Sequence, residues 1–256
     1  MKLEKVKSWF YQLQGVPDPD ALVADLLVID IDQDPAPFLL KPDGTPRAVA
    51  AYLSIGEAED YRSYWKLLRE RKTTSGCLLG ENPDWPGNYT VKYWDAGWQS
   101  IIMDRIREAK AKGFTALYLD KVDAFEDIEN KWPHLGEQID LKEAMVNFVQ
   151  LVAQCEPTLD IIMQNAEALT DVPRLLAAID AIGKEDLFYG ATGETGDANS
   201  AEDVQWTIGQ LRKARKPVFV IEYLDGAKKQ AKALKLIQAV GYVSFFDEED
   251  RALDGV

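Results

Sequence analysis

The chain has 256 residues, 46 % hydrophobic and 28 % charged, with 29 basic against 43 acidic residues and a formal net charge of −14. That length fits one large domain, close to the roughly 250 residues of an α/β barrel, and the composition is that of a globular protein with a substantial core, not a disordered one. The acid excess disfavours nucleic acid and anionic membrane surfaces as partners, and it would concentrate cations wherever acids cluster.

In chain order, eight apolar or alternating runs read as strands: Val6–Gln14, Leu26–Asp32, Ala48–Gly56, Phe114–Asp120, Leu159–Asn165, Ile179–Glu185, Pro217–Leu224 and Tyr242–Asp247. Between most of them apolar residues recur at three- and four-residue spacing, which predicts helices over Ala58–Arg71, Gly97–Lys112, Leu141–Cys155, Ala201–Arg215 and Lys228–Val240. Alternating strands and helices require a parallel sheet, so the expected fold is α/β, a single (β/α)8 TIM barrel over residues 1–256. Two connections break the pattern. Gln33–Arg47 holds four prolines and is expected as a loop at the barrel mouth, and Thr73–Trp94, with three glycines and two prolines around Trp85, Tyr89, Tyr93 and Trp94, is expected as a second long loop.

Active sites of such barrels lie where strands end. The proposed strands end in or near Asp30, Asp32, Glu57, Asp120, Asp123, Glu185, Glu222 and Asp247. Acids crowded at one barrel end repel one another, which spreads their pKa values apart, and such a spread is what acid–base chemistry needs. Asp120, closing the buried run Ala116-Leu117-Tyr118-Leu119, is taken as the centre. Aromatic residues fall near the same ends. Most of these fill the core, and Tyr52, Tyr189 and Tyr223 are expected at the mouth, where rings and hydroxyls suit sugars.

Other chemistries find little support. The single histidine, His134 in Trp132-Pro133-His134-Leu135, cannot build a His-rich zinc site, and no nucleophile elbow, P-loop or dinucleotide fingerprint is present. Cys77 and Cys155 lack metal or redox spacing and leave open whether they pair. No apolar run approaches the ~18 residues of a membrane span, and the first residues lack the apolar segment of a signal peptide. The protein is therefore expected in the cytoplasm, or outside it if an export signal has been removed.

The run Ala51-Tyr52-Leu53-Ser54-Ile55-Gly56-Glu57-Ala58-Glu59-Asp60-Tyr61-Arg62, then Tyr93-Trp94-Asp95-Ala96-Gly97-Trp98, Gly113-Phe114 through Leu119-Asp120-Lys121-Val122-Asp123, and Ile161-Ile162-Met163-Gln164-Asn165, resembles the endo-α-1,4-polygalactosaminidase family, glycoside hydrolase family 114. The resemblance runs from Trp9 to Glu222-Tyr223. It implies a TIM-barrel hydrolase of α-1,4-linked galactosamine polymers, including partly deacetylated biofilm exopolysaccharides, with an essential Asp at Asp120 and an essential Glu at Glu185. Lys121 stands where many relatives have Asn, which puts a cation beside Asp120.

Two carboxyl groups suffice for glycoside hydrolysis, with Asp120 expected as ionised nucleophile and Glu185 as protonated donor. Asp30, Tyr52, Glu57, Asp123, Asn165, Tyr189, Glu222 and Tyr223 are expected to bind an amino-sugar polysaccharide, in a monomer that uses no metal or cofactor. Two rivals share the acid-lined barrel: a metal-dependent lyase or isomerase, and a polysaccharide-binding barrel without catalysis.

Overall fold

In a computed structural model, which describes residues 2–70, 75–190 and 196–255, eight parallel strands form one sheet curled into a nearly closed barrel. They are β1 (Trp9–Gln12), β2 (Leu26–Asp30), β3 (Ala48–Ser54), β7 (Ala116–Asp120), β8 (Asp160–Gln164), β9 (Ala181–Glu185), β10 (Val218–Tyr223) and β11 (Val243–Asp247), paired in that order. Each lies inside one of the eight apolar runs. The runs overshoot at their ends because only residues with a laddered neighbour stay in the sheet.

A second, three-stranded antiparallel sheet of β4 (Glu57–Glu59), β5 (Leu78–Glu81) and β6 (Asn88–Val91) stands where the sequence reads as helix and loop. The expected helix over Ala58–Arg71 is reduced to α1 (Trp65–Glu70), and Arg71 lies outside the described residues. Gly56 explains the change, since its carbonyl accepts from Val91 N at 3.1 Å and so draws the following residues into a ladder with β6. The expected loop over Thr73–Trp94 carries two strands of this sheet, β5 and β6, with irregular chain between and after them, and residues 73 and 74 lie outside the description. Only the start of the Gln33–Arg47 connection is at the mouth. Its far end carries buried Arg47, which donates to the carbonyls of Ala24, Phe38 and Leu22 and anchors the opposite end of β3.

The outer helices are α2 (Ala96–Lys112), α3 (Ala124–Lys131), α4 (Pro133–Gly136), α5 (Leu141–Cys155), α6 (Pro173–Ala178), α7 (Ala201–Ala214) and α8 (Ala227–Ala239). Side-chain caps start three of them, Asp95, Asp140 and Ser200 accepting from backbone N–H groups of α2, α5 and α7. Gly113, at φ 101°, ends α2 and turns the chain into β7. Cys77 and Cys155 are both free thiols.

Strand residues alternate between two cores. Leu27, Ile29, Val49, Ala51, Leu117, Leu119, Ile161, Met163, Val218 and Val220 face the helices. Trp9, Tyr11, Leu26, Val28, Ala48, Ala50, Tyr52, Ala116, Tyr118, Ile162, Ala181, Phe219, Ile221 and Tyr223 fill the barrel. Small residues there make room for rings. A Cβ on Gly183 would stand 2.2 Å from Tyr118 Oη, so β9 must be bare at this level for the tyrosine to fit.

Candidate active site

The interior set of each strand, continued to its last residue, delivers the site. Asp30 follows Val28 on β2, Tyr52 follows Ala50, Asp120 follows Tyr118, Gln164 follows Ile162, Glu185 follows Ala181 and Gly183, and Tyr223 follows Ile221. They open into a cavity of about 550 Å3 at the carboxyl ends of the strands, within the usual size range of a ligand site. Asp30, Tyr52, Glu57, Asp120, Asp123, Asn165, Glu185 and Tyr223 all line it.

At the centre is a chain of hydrogen bonds through one amide. Gln164 Nε2 donates to Asp120 Oδ1 at 2.9 Å and to Glu185 Oε2 at 2.7 Å, and Tyr11 Oη donates to Gln164 Oε1 at 3.5 Å. The amide orientation follows from the charges, since its carbonyl oxygen turned toward two carboxylates would meet only acceptors. A tyrosine flanks each acid: Tyr52 Oη donates to Asp120 Oδ2 at 2.5 Å and Tyr223 Oη to Glu185 Oε1 at 2.6 Å.

The two acids are not equivalent. Burial raises both, but Asp120 also receives the Lys121 backbone N–H at 2.6 Å and lies beside the Lys121 cation. Glu185 is pushed up to about 7, by burial first and then by the Asp120 charge. Asp120 therefore ionises first and holds Glu185 protonated toward neutral pH. Backbone geometry at the strand ends is unusual too. Lys121, Asn165 and Asp186, the residues immediately after Asp120, Gln164 and Glu185, all have left-handed φ values of 58°, 53° and 54°. Such strain in residues with side chains persists only where the surroundings enforce it, and here it aims the preceding side chain inward.

Around the pair, Glu57 accepts from Asn82 Nδ2 at 2.9 Å and faces Lys121 Nζ at 3.3 Å. Asp123 opens α3 and makes no hydrogen bond through its carboxylate among the described residues, and burial raises it to about 6. Asn165 Oδ1 accepts from the Glu185 backbone N–H at 3.1 Å and from Lys184 Nζ at 3.2 Å. Asp30 is bound to buried Arg62 at 2.7 Å, which also grips Glu59 at 2.7 Å. Six carboxylates line the cavity (Asp30, Glu57, Glu59, Asp120, Asp123, Glu185) against two cations, Lys121 and Arg251.

Tyr189 and Glu222 do not join them, contrary to the sequence expectation. Glu222 sits between the inward-facing Ile221 and Tyr223 and so points out of the barrel, where it accepts from the N–H groups of Phe188 at 2.8 Å and Tyr189 at 3.2 Å. Burial raises it to about 8. It organises the β9–α7 connection, and Tyr189 packs in the outer core beside it. Asp32 and Asp247 also leave the ring of acids. Asp32 pairs with Arg62 and Arg105, and Asp247 accepts from Leu253 N at 3.0 Å.

Gln164 is the main residue that the sequence reading passes over, and the rim is the second. Trp85 and Tyr61, 50 % and 66 % exposed, line the cavity mouth with Pro86. Exposed rings beside a polar cavity suit the flat faces of sugars. Trp85→Ala should weaken cleavage of long oligomers, raising KM about tenfold, while leaving disaccharide-sized substrates almost unaffected. Steady-state kinetics against chain length checks this.

A parallel barrel with two hydrogen-bonded carboxylic side chains at its strand ends defines the class: a TIM-barrel glycoside hydrolase. Residues 1–256 match the family described as glycoside-hydrolase family GH114, and the chain belongs to that family. It is 32 % identical over 265 residues to an uncharacterized protein of Deinococcus radiodurans, covering 98 % of this chain and 83 % of that one. A second relative, from Methanocaldococcus jannaschii, is 32 % identical over 272 residues, covering 96 % and 77 %, and is also uncharacterized. Among solved structures the fold is similar to the glycoside hydrolase domain of PelA from Pseudomonas aeruginosa, at a TM-score of 0.77 and 20 % identity over 97 % of this chain and 96 % of that one. It is also similar to Aspergillus fumigatus Ega3 in complex with galactosamine, at a TM-score of 0.72 and 19 % identity over 97 % and 93 %.

Proposed function

We propose that this glycoside hydrolase cleaves α-1,4-linked galactosamine and N-acetylgalactosamine polymers, with Asp120 as nucleophile and Glu185 as acid and base. The observation that carries the mechanism is the shared amide. Both carboxyls touch one nitrogen, at 2.9 and 2.7 Å, so their nearest oxygens are at most about 5.6 Å apart. Inverting enzymes hold their acids about 6.5–9.5 Å apart to admit a water, and retaining enzymes about 5–5.5 Å, so this upper limit favours retention. Asp120 attacks the anomeric carbon while Glu185 protonates the departing oxygen. Glu185, now ionised, then draws a proton from water that hydrolyses the glycosyl–Asp120 ester.

The substrate class is supported by charge. With Glu185 protonated, five carboxylates outnumber Lys121 and Arg251 in the lining and Arg62 behind Asp30 and Glu59, so the cavity is negative, and free galactosamine units carry ammonium groups that such a field attracts. The likeness to Ega3, solved with galactosamine, agrees. Of the lining acids, Asp123 is the one whose carboxylate has no partner among the described residues, and we assign it to an amine or hydroxyl of the sugar. Asp30 and Glu57, each already paired with a cation, shape the cavity beside it.

The test is incubation with defined α-1,4-galactosamine oligomers of varied acetylation, with mass analysis of the products. Shorter oligomers, released with α configuration at the new reducing end, are expected. Intact oligomers at every acetylation level would end the substrate assignment. The pH dependence is fixed by the acid. Activity requires Glu185 protonated, so kcat/KM should fall as pH rises through about 7 and should peak on the acid side of neutrality.

A further inference from the structure

The barrel has a seam. Among the described residues β1 and β11 share no ladder, and rings meet across the gap instead, Phe245 lying 5.8 Å from Trp9 and 5.1 Å from Phe10. Above these rings the seam is bridged by residues 248–255. The Leu253 carbonyl accepts from Leu13 N at 2.8 Å and Gln14 N at 3.0 Å on the β1 side, Leu253 N donates to Asp247 on β11, and Gln12 Nε2 donates to the Asp254 carbonyl at 2.8 Å. This segment supplies Arg251, Ala252 and Leu253 to the cavity wall.

Arg251 is built into the wall rather than draped over it. Its guanidinium lies 4.2 Å from the centre of the Tyr223 ring, and Nη2 pairs with Asp186 Oδ2 at 2.7 Å. Tyr223 donates to Glu185, and Asp186 is the residue after it. Arg251 and Asp186 both take left-handed backbones, φ 57° and 54°, to meet. Gly190 is bare beneath them, where a Cβ would come within 2.8 Å of Asp186 Oδ1 and 3.3 Å of Arg251 Nη2. Two strained residues and a cleared glycine serve one ion pair, and that pair brackets the proposed acid from both sides.

We propose that Arg251 is a positioning residue for Glu185: delivered across the seam by the C-terminal segment, it clamps Tyr223 and Asp186 and so fixes the orientation and charge environment of the catalytic acid. This rests on the reading of Glu185 as proton donor. The charged and titratable groups facing Glu185 are Asp120 and Tyr118 from β7, Tyr11 from β1, Tyr223 from β10, Lys184 and Asp186 beside it in the chain, and Arg251. Lys184 Nζ is held by Glu167 at 2.9 Å and by Asn165 Oδ1 at 3.2 Å. Among the described residues Arg251 is the cation seated on both Tyr223 and Asp186, where it opposes the Asp120 and Asp186 charges at the acid.

The test is a pair of variants measured on α-1,4-galactosamine oligomers. Arg251→Gln removes the cation, and should lower kcat about 10- to 100-fold with KM little changed and shift the alkaline limb of the pH profile upward. Asp186→Asn removes the neighbouring anion and leaves the cation unpaired, so the same limb should shift downward. Arg251→Lys, which keeps the charge but not the flat guanidinium, should hold the limb in place and recover part of kcat. Loss of packing alone would lower kcat without moving the limb in opposite directions, and limbs that coincide with the unmodified enzyme's overturn the proposal. If Arg251→Gln does not fold, Asp186→Asn decides by the same criterion. Glu185→Gln on the same oligomers separates the two readings. If it retains full turnover the acid assignment itself falls, whereas if it is inactive and the limbs stay fixed, only the role of Arg251 falls.

Discussion

Asp120→Asn and Glu185→Gln should each reduce turnover of α-1,4-galactosamine oligomers by about 1,000-fold or more, the scale expected when a nucleophile or a general acid is removed from a two-carboxylate mechanism. Their residual activities should differ in kind. Glu185→Gln should still cleave an aryl glycoside whose leaving group departs without a proton, because only protonation is lost, whereas Asp120→Asn should fail on both substrates. Neither should unfold the protein. Burial raises both acids and the Asp120 charge raises Glu185 further, so Asp120→Asn removes a buried charge, whereas Glu185→Gln replaces an already protonated carboxyl with a neutral amide of similar size. Melting temperatures at or above that of the unmodified enzyme are therefore expected, the usual signature of a site held together against its own electrostatics. Kinetics on both substrates with a thermal melt of each variant checks all three expectations, and oligomer turnover within tenfold of normal would remove that residue from the chemistry.

The barrel was legible in the chain because a parallel strand buried on both faces reads as an unbroken apolar run, and each of the eight runs contains one strand. The second sheet was not, because the β4 ladder depends on partners at residues 88–90, far along the chain, and its residues, Glu57-Ala58-Glu59 among them, carry no strand signature. Within the site, acids at strand ends are visible as residue types, but which of them face the cavity is set by alternation along each strand. Strict alternation from Ile221 through Tyr223 puts Glu222 outside the barrel, and alternation from Ile162 puts Gln164, not Asn165, between the two carboxyls. Counting by two from the barrel-filling residues would have recovered both. Nothing local marks Arg251, since it reaches the site from the far end of the chain through a bridge of backbone hydrogen bonds.

Gly56→Ala should damage folding and chemistry together. The new Cβ would stand 2.2 Å from the Lys121 carbonyl oxygen, 2.5 Å from Ala124 Cβ and 3.0 Å from Lys121 Cβ. None of these is the yielding tip of a long side chain. Neither wall can retreat cheaply, because Ile55 N donates to the Asp120 carbonyl at 3.0 Å, Trp98 Nε1 to the Ile55 carbonyl at 2.8 Å and Val91 N to the Gly56 carbonyl at 3.1 Å. The turn that must give way is the left-handed Lys121 step, which supplies the backbone N–H to Asp120 Oδ1 and leads into Asp123. Overpacking of this kind costs about 2–3 kcal/mol, or roughly 5–10 °C in melting temperature at this chain length. A displacement of about 1 Å at the proposed nucleophile, Asp120, should cost about 100-fold in kcat even in the fraction that stays folded. Gly209→Ala supplies the contrast, for its Cβ meets nothing within 4 Å on the exposed side of α7, and it should leave kcat unchanged while raising stability by about 0.5–1 kcal/mol. A Gly56→Ala protein that melts and turns over like the unmodified enzyme would mean that the strand β3 end and the Asp120 turn are not held against each other as these contacts require.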